Sequence, residues 1–106
     1  MPSITLTVEP TSGTAPFTVD ATATVIGPFQ GYVALFIVDV TYANPHRNES
    51  SRLYVKNILA SEGSTGVQFL GIQAGTSGHT YNFYGYLESE FGQQVAAAEP
   101  VAVTVY

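Results

Sequence analysis

Cysteine and tryptophan are absent from this chain, and charge is scarce. Without cysteine there can be no disulfide framework, no Cys-ligated zinc site and no thiol nucleophile, so stability must come from packing and strand pairing. Charged residues make up 10% of the sequence, against roughly 25% in an average globular protein. Only three residues are basic, Arg47, Arg52 and Lys56, and they fall within one ten-residue stretch of a chain whose net charge is −5. A phosphate backbone would find no basic track here, and nucleic acid is not expected as a partner. No stretch approaches the ~20 apolar residues of a membrane span, so no membrane partner is expected either. The opening Met1-Pro2-Ser3-Ile4-Thr5-Leu6-Thr7 has neither the basic start nor the continuous apolar run of a secretory signal. Two readings of Met1 follow: a true start, or an addition to a module cut from a longer secreted protein.

What the chain does contain is apolar: 45% hydrophobic and 12% aromatic residues, the opposite of a disordered composition. Its 106 residues have room for one hydrophobic core, so residues 1–106 are read as a single domain. Solubility rests on Thr, Ser, Asn, Gln and Gly, as is common in modules outside cells or on assembled particles.

Strand-like alternation runs through the chain, with no clear helical period. Ile4, Leu6 and Val8 alternate with Thr5, Thr7 and Glu9; after a turn from Pro10 to Pro16, Phe17, Val19, Ala21, Ala23 and Val25 alternate with Thr and Asp. Between Tyr32 and Tyr42 the alternation fails, because Tyr32, Ala34, Phe36, Val38 and Val40 make one apolar face while Val33, Leu35 and Ile37 precede Asp39 and Thr41 on the other. Shorter strands are expected from Arg52 to about Leu59 and from Val67 to Ile72. A strong one runs from Thr80 to Ser89, with Tyr81, Phe83, Gly85 and Leu87 on one face and Asn82, Tyr84, Tyr86 and Glu88 on the other. Gln94 to Tyr106 pairs back as a last strand interrupted near Pro100, since proline belongs at an edge or a bulge. About seven strands with turn signals every ten residues or so predict an all-β, Greek-key, immunoglobulin-like sandwich.

Two stretches carry a resemblance. Pro10-Thr11-Ser12-Gly13-Thr14-Ala15-Pro16-Phe17-Thr18-Val19 resembles the opening of PKD-type and related bacterial immunoglobulin-like domains, in which a Gly-x-Ala-Pro turn leads into the second strand. Thr80-Tyr81-Asn82-Phe83 through Ser89-Glu90-Phe91-Gly92 is similar to the penultimate strand and hairpin of fibronectin type III domains, with Tyr81 placed like the tyrosine-corner residue. The tryptophan that marks the core in each family is missing. The resemblance therefore implies architecture and no family activity.

Catalysis needs a nucleophile, a base and an orienting group within reach of one another. His46 lies in the polar loop Asn44-Pro45-His46-Arg47-Asn48-Glu49 and reads as solvated. His79 follows Gly75-Thr76-Ser77-Gly78, which lacks the Gly-x-Ser-x-Gly elbow that exposes a nucleophile and reads as a turn. Glu88 and Glu90 have no Asp-rich loop to complete a Ca²⁺ site. Asp20 and Asp39, in strands where Asp is disfavoured, are expected to accept hydrogen bonds or protect an edge. Asn48-Glu49-Ser50 matches a glycosylation triplet that often arises by chance. No enzyme activity, metal or cofactor is expected.

The remaining signal is distributed. In an immunoglobulin-like sandwich the third, sixth and seventh strands share a sheet. The expected contact surface is therefore an outward patch of Val33, Leu35 and Ile37 beside Tyr84 and Tyr86, with Tyr106 from the last strand. An apolar, Tyr-rich patch usually marks an interface; the alternatives are a covering loop or a shifted register. The expectation is a structural or assembly protein with a protein partner, concretely a decoration or cement protein on the surface of a phage virion. The rival is an extracellular spacer or adhesion module of a secreted bacterial protein, with carbohydrate as a further partner class.

Overall fold

Nine strands build the protein in the computed structural model, which describes residues 2–61 and 63–106. They are β1 (Ser3–Glu9), β2 (Ser12–Gly13), β3 (Thr18–Ile26), β4 (Phe29–Asp39), β5 (Arg52–Ala60), β6 (Ser64–Gln73), β7 (Thr80–Ser89), β8 (Gln94–Ala97) and β9 (Val101–Val105). The count exceeds seven for two local reasons. The chain forms the two-residue β2 on its way from β1 to β3, and Pro100 splits the last strand into β8 and β9, both of which pair with β7.

The smaller sheet has the order β1-β3-β6 and the larger β2-β9-β7-β4-β5, with β8 also beside β7. The links β3 to β4, β5 to β6 and β6 to β7 cross between the sheets, giving an all-β Greek-key sandwich. Alternation explains the smaller sheet directly: Ile4, Val8, Val19, Ala21, Ala23 and Val25 are buried, while the threonines between them face outward. Asp20 stands where β6 bulges, since Val19 pairs with Ile72 and Ala21 with Phe69, leaving Asp20 against both Leu70 and Gly71. Gly71 takes φ +66° there, a left-handed conformation that glycine adopts without steric cost. Its amide donates to the Asp20 carboxylate at 3.0 Å.

In the larger sheet the phase of β4 is opposite to the expectation. Val33, Leu35 and Ile37 are at most 1% exposed and belong to the core. They pair with Leu87, Gly85 and Phe83 on the inward side of β7. The outward residues are Tyr32, Ala34, Phe36 and Val38. Both faces of this strand are apolar, so the two-residue period alone cannot choose between them. Asp39, which marks the Val33 side as the wet one in sequence, points inward and is itself buried.

The flank where β5 and β6 run side by side is closed by side chains. The Lys56 ammonium donates to the Gln68 carbonyl, and the Arg52 guanidinium to the Gln73 carbonyl at 2.6 Å. Two of the three cations thus cap the unpaired edge of β6.

Candidate docking surface

The two outer faces of the sandwich differ in chemistry. That of the smaller sheet presents Thr5, Thr7, Thr22 and Thr24 in cross-strand pairs, with Glu9 opposite Asp20. Among the described residues, large apolar side chains break it only at Ile26 and Leu70. The outer face of the larger sheet is organised in apolar rows. Leu53, Phe36 and Tyr84 form one row across β5, β4 and β7; Val55, Ala34, Tyr86 and Ala97 form the next, reaching β8. Leu53 and Val55 are 58% and 49% exposed, whereas Ala34 is covered by its neighbours. A third row, Asn57, Tyr32, Glu88 and Gln94, gives the patch a polar margin.

Tyr84 and Tyr86 lie on this face, half-buried. Burial pushes the Tyr86 phenol up, and the charge of Glu88 adds to the effect. With Phe36, Val38, Gly85, Gln94, Ala97 and Ala98 they line a shallow depression of about 420 Å³. Val33, Leu35 and Ile37 take no part in it, being on the opposite face of the sheet. Tyr106 is 64% exposed, but the pairing of Thr80 with Thr104 carries it past the end of β7. That is six residue positions from Tyr84, or roughly 20 Å. Sequence reasoning missed Phe36, Leu53 and Val55, whose role depends on β5 lying beside β4.

No family model, curated protein or solved structure matches this chain.

A second cluster gathers polar residues at one end of the core. The Asp39 side chain is wholly buried. It accepts hydrogen bonds from the Thr41 hydroxyl at 2.5 Å, the Glu49 amide at 2.7 Å, the Thr41 amide at 3.0 Å and His79 Nδ1 at 2.7 Å. Burial pushes the Asp39 carboxyl up, but these donors outweigh it and hold the pKa down at about 2. Tyr81 donates its hydroxyl to Glu49 at 2.7 Å and accepts the Thr76 amide at 2.9 Å. The return to the backbone five residues upstream is the geometry of a tyrosine corner. Burial pushes the Tyr81 phenol up, as does the Glu49 carboxylate beside it.

An aspartate behind a histidine can orient an imidazole for proton transfer. Among the described residues, however, no hydroxyl hydrogen-bonds to the second ring nitrogen of His79, which packs against Tyr42 and Tyr81. The same residues contain no group of three or more His, Cys, Asp or Glu side chains placed to hold a metal ion. What the cluster visibly does is tie the loop between β4 and β5 to the core. Asn48 extends the tie by bonding both the amide and the carbonyl of Tyr42, each at 2.9 Å. His46 stays exposed in the short 3-10 turn Pro45–Arg47. The Asp39–His79 pair spans forty positions of sequence, and an aspartate inside a strand, where that residue is disfavoured, was its only signal.

Proposed function

We propose that this chain is a non-catalytic structural protein that docks onto a larger protein assembly through the outer face of its larger sheet. The concrete form of the reading is a decoration or cement protein on a virion surface. The observation that carries it is the contrast between the two outer faces: one solvated by threonines, the other built of contiguous rows around Phe36, Tyr84 and Tyr86. Large apolar patches with polar margins are rare on proteins that act alone. Half-buried tyrosines are well suited to such contacts, since each offers wide apolar area and a polar tip.

The flanking coding sequence is the first test, because capsid genes beside an independent reading frame fit this reading and an upstream signal with a hydrolase does not. Co-sedimentation with particles of the same origin is the second. A Phe36→Ser/Tyr84→Ser double variant, folded by circular dichroism, should lose binding, whereas Thr7→Lys on the smaller sheet should retain it. The reverse pattern would refute the docking face.

A second reading has one observation in its favour. The depression beside Tyr84 and Tyr86 combines aromatic rings with the Gln94 amide, which suits a sugar ring in an extracellular adhesion module. Saturable binding to a glycan array, lost in the same double variant, would select it over the first.

A further inference from the structure

We propose that the parallel pair of β2 and β9 is a mechanical clamp, which makes the domain a load-bearing link for tension applied between its two ends. The proposal does not depend on the docking reading above.

The two ends of the chain lie at opposite ends of the strands. β1 starts opposite Ile26, and only Gly27 and Pro28 separate Ile26 from the start of β4, where Gly31 pairs with Ser89 at one end of β7. β9 finishes at the other end of β7, with Thr104 opposite Thr80. Tension between the ends therefore acts along the strand direction.

The first and last parts of the chain meet in one place in the larger sheet, and there they run parallel. The Thr104 amide donates to the Thr11 carbonyl at 3.0 Å, the Tyr106 amide to the Gly13 carbonyl at 2.8 Å, and the Ala15 amide to the Tyr106 carbonyl at 3.0 Å. Tension draws β2 back towards its own start and β9 forward towards its end, so the two strands must slide past each other. Bonds that bridge the strands crosswise share such a load and fail together. A strand peeled from one end gives them up one at a time instead.

Both halves of the clamp are anchored. β1 pairs with β3 from Ser3 opposite Ile26 to Glu9 opposite Asp20, and the same tension loads that pairing in shear. On the far side of β9 the Val105 amide donates to the His79 carbonyl and the Gly78 amide to the Val105 carbonyl, both at 2.9 Å. Val103 and Val105 are buried in the core. Water competes for any backbone bond under load. The Phe17 ring lies over Gly13, where an added Cβ would meet it at 3.0 Å, and shields the middle of the clamp.

Single-molecule extension tests the clamp, and a chain without cysteine lets introduced thiols define where force is applied. Forced unfolding reads the barrier along the direction pulled, so the protein held by its N- and C-terminal ends should unfold at a force at least about twofold higher than when held by Ser77→Cys and the C-terminal end. Ser77 is exposed, in the loop whose Gly78 bonds Val105, so the second geometry peels β9 from Tyr106 inwards. Equal forces, or a weaker end-to-end geometry, would overturn the proposal. Thr104→Pro deletes the bond to Thr11 and spares those of Val105; it should lower the end-to-end force by about a quarter or more and leave the peeling force unchanged. Ile58→Val, a core truncation on β5 away from the clamp, should lower the urea midpoint and leave the end-to-end force unchanged. An end-to-end force that follows the urea midpoint in both variants would show that overall stability sets it, and would refute the clamp.

Discussion

Replacing Leu35 by Ala tests the phase of β4, on which both the core and the outer face depend. Leu35 is 1% exposed and stands between Tyr54 and Gly85 on the inward side. Gly85 has no side chain to move into a vacated space. Leu6 already packs over it, since a methyl group added at Gly85 would touch Leu6 at 3.5 Å. The space left by the truncation can therefore collapse only partly, which points to the upper half of the ~2–5 kcal/mol range for such truncations, about 4 kcal/mol. Total stability for a domain is ~5–15 kcal/mol. At ~4–8 °C per kcal/mol, Tm should fall by roughly 15–30 °C. Leu53→Ala, on the outer face of the neighbouring strand, should stay within about 0.5 kcal/mol. Calorimetry and urea midpoints of the two variants decide the matter. A Leu35→Ala loss below about 1 kcal/mol, or one smaller than that of Leu53→Ala, would refute the inward phase.

Asp39 titrates at about 2 in the folded protein, below its ordinary value of 3.8, so the stability it contributes is complete above pH ~4 and is lost as the pH falls through ~2. The shift corresponds to about 2 kcal/mol; Asp39→Asn should lower Tm at neutral pH and flatten the acid limb of Tm against pH, and an unchanged limb would refute the network. Gly75 holds φ +132° with the Tyr81 ring where a Cβ would sit, so Gly75→Ala should cost more than about 2 kcal/mol in thermal unfolding. Tyr81→Phe, which leaves the Thr76 amide and the Glu49 carboxylate without their partner, should cost about 1–3 kcal/mol, and a neutral result would remove the corner's structural role. Neither reductant nor EDTA should move the melting temperature, and a fall of more than a few degrees with EDTA would reveal a structural cation.

Alternation carried much of the fold into the sequence. Tyr81, Phe83 and Leu87 face the core as their alternation predicts, Pro100 interrupts the last strand as a proline should, and Tyr81 turns back to its own upstream backbone, as the resemblance to the fibronectin strand implied. β4 was ambiguous because a strand with two apolar faces carries no internal mark of its phase. The polar residues that offered a mark, Asp39 and Thr41, misled, because Asp39 points inward and is buried. Its burial is stable only because Thr41, Glu49 and His79 converge on it, and their sequence separations run from two to forty positions. The outer patch had a second illegible part. Leu53 and Val55 gain their place beside Phe36 and Ala34 from a pairing that local sequence does not encode.

The capping of β6 has a consequence for how the protein responds to ionic strength. Arg52 and Lys56 bond backbone carbonyls, and Arg47 lies over the Tyr42 ring at 4.1 Å. Among the described residues the one contact between a carboxylate and a basic side chain joins the buried Asp39 to His79, at 2.7 Å. No Lys or Arg there is matched to a carboxylate, so among the described residues added electrolyte has no exposed ion pair to weaken. What it does screen is the mutual repulsion of an excess of carboxylates in a chain of net charge −5. Fold stability should therefore hold or rise as salt is added, the opposite of the response of a protein held together by surface ion pairs.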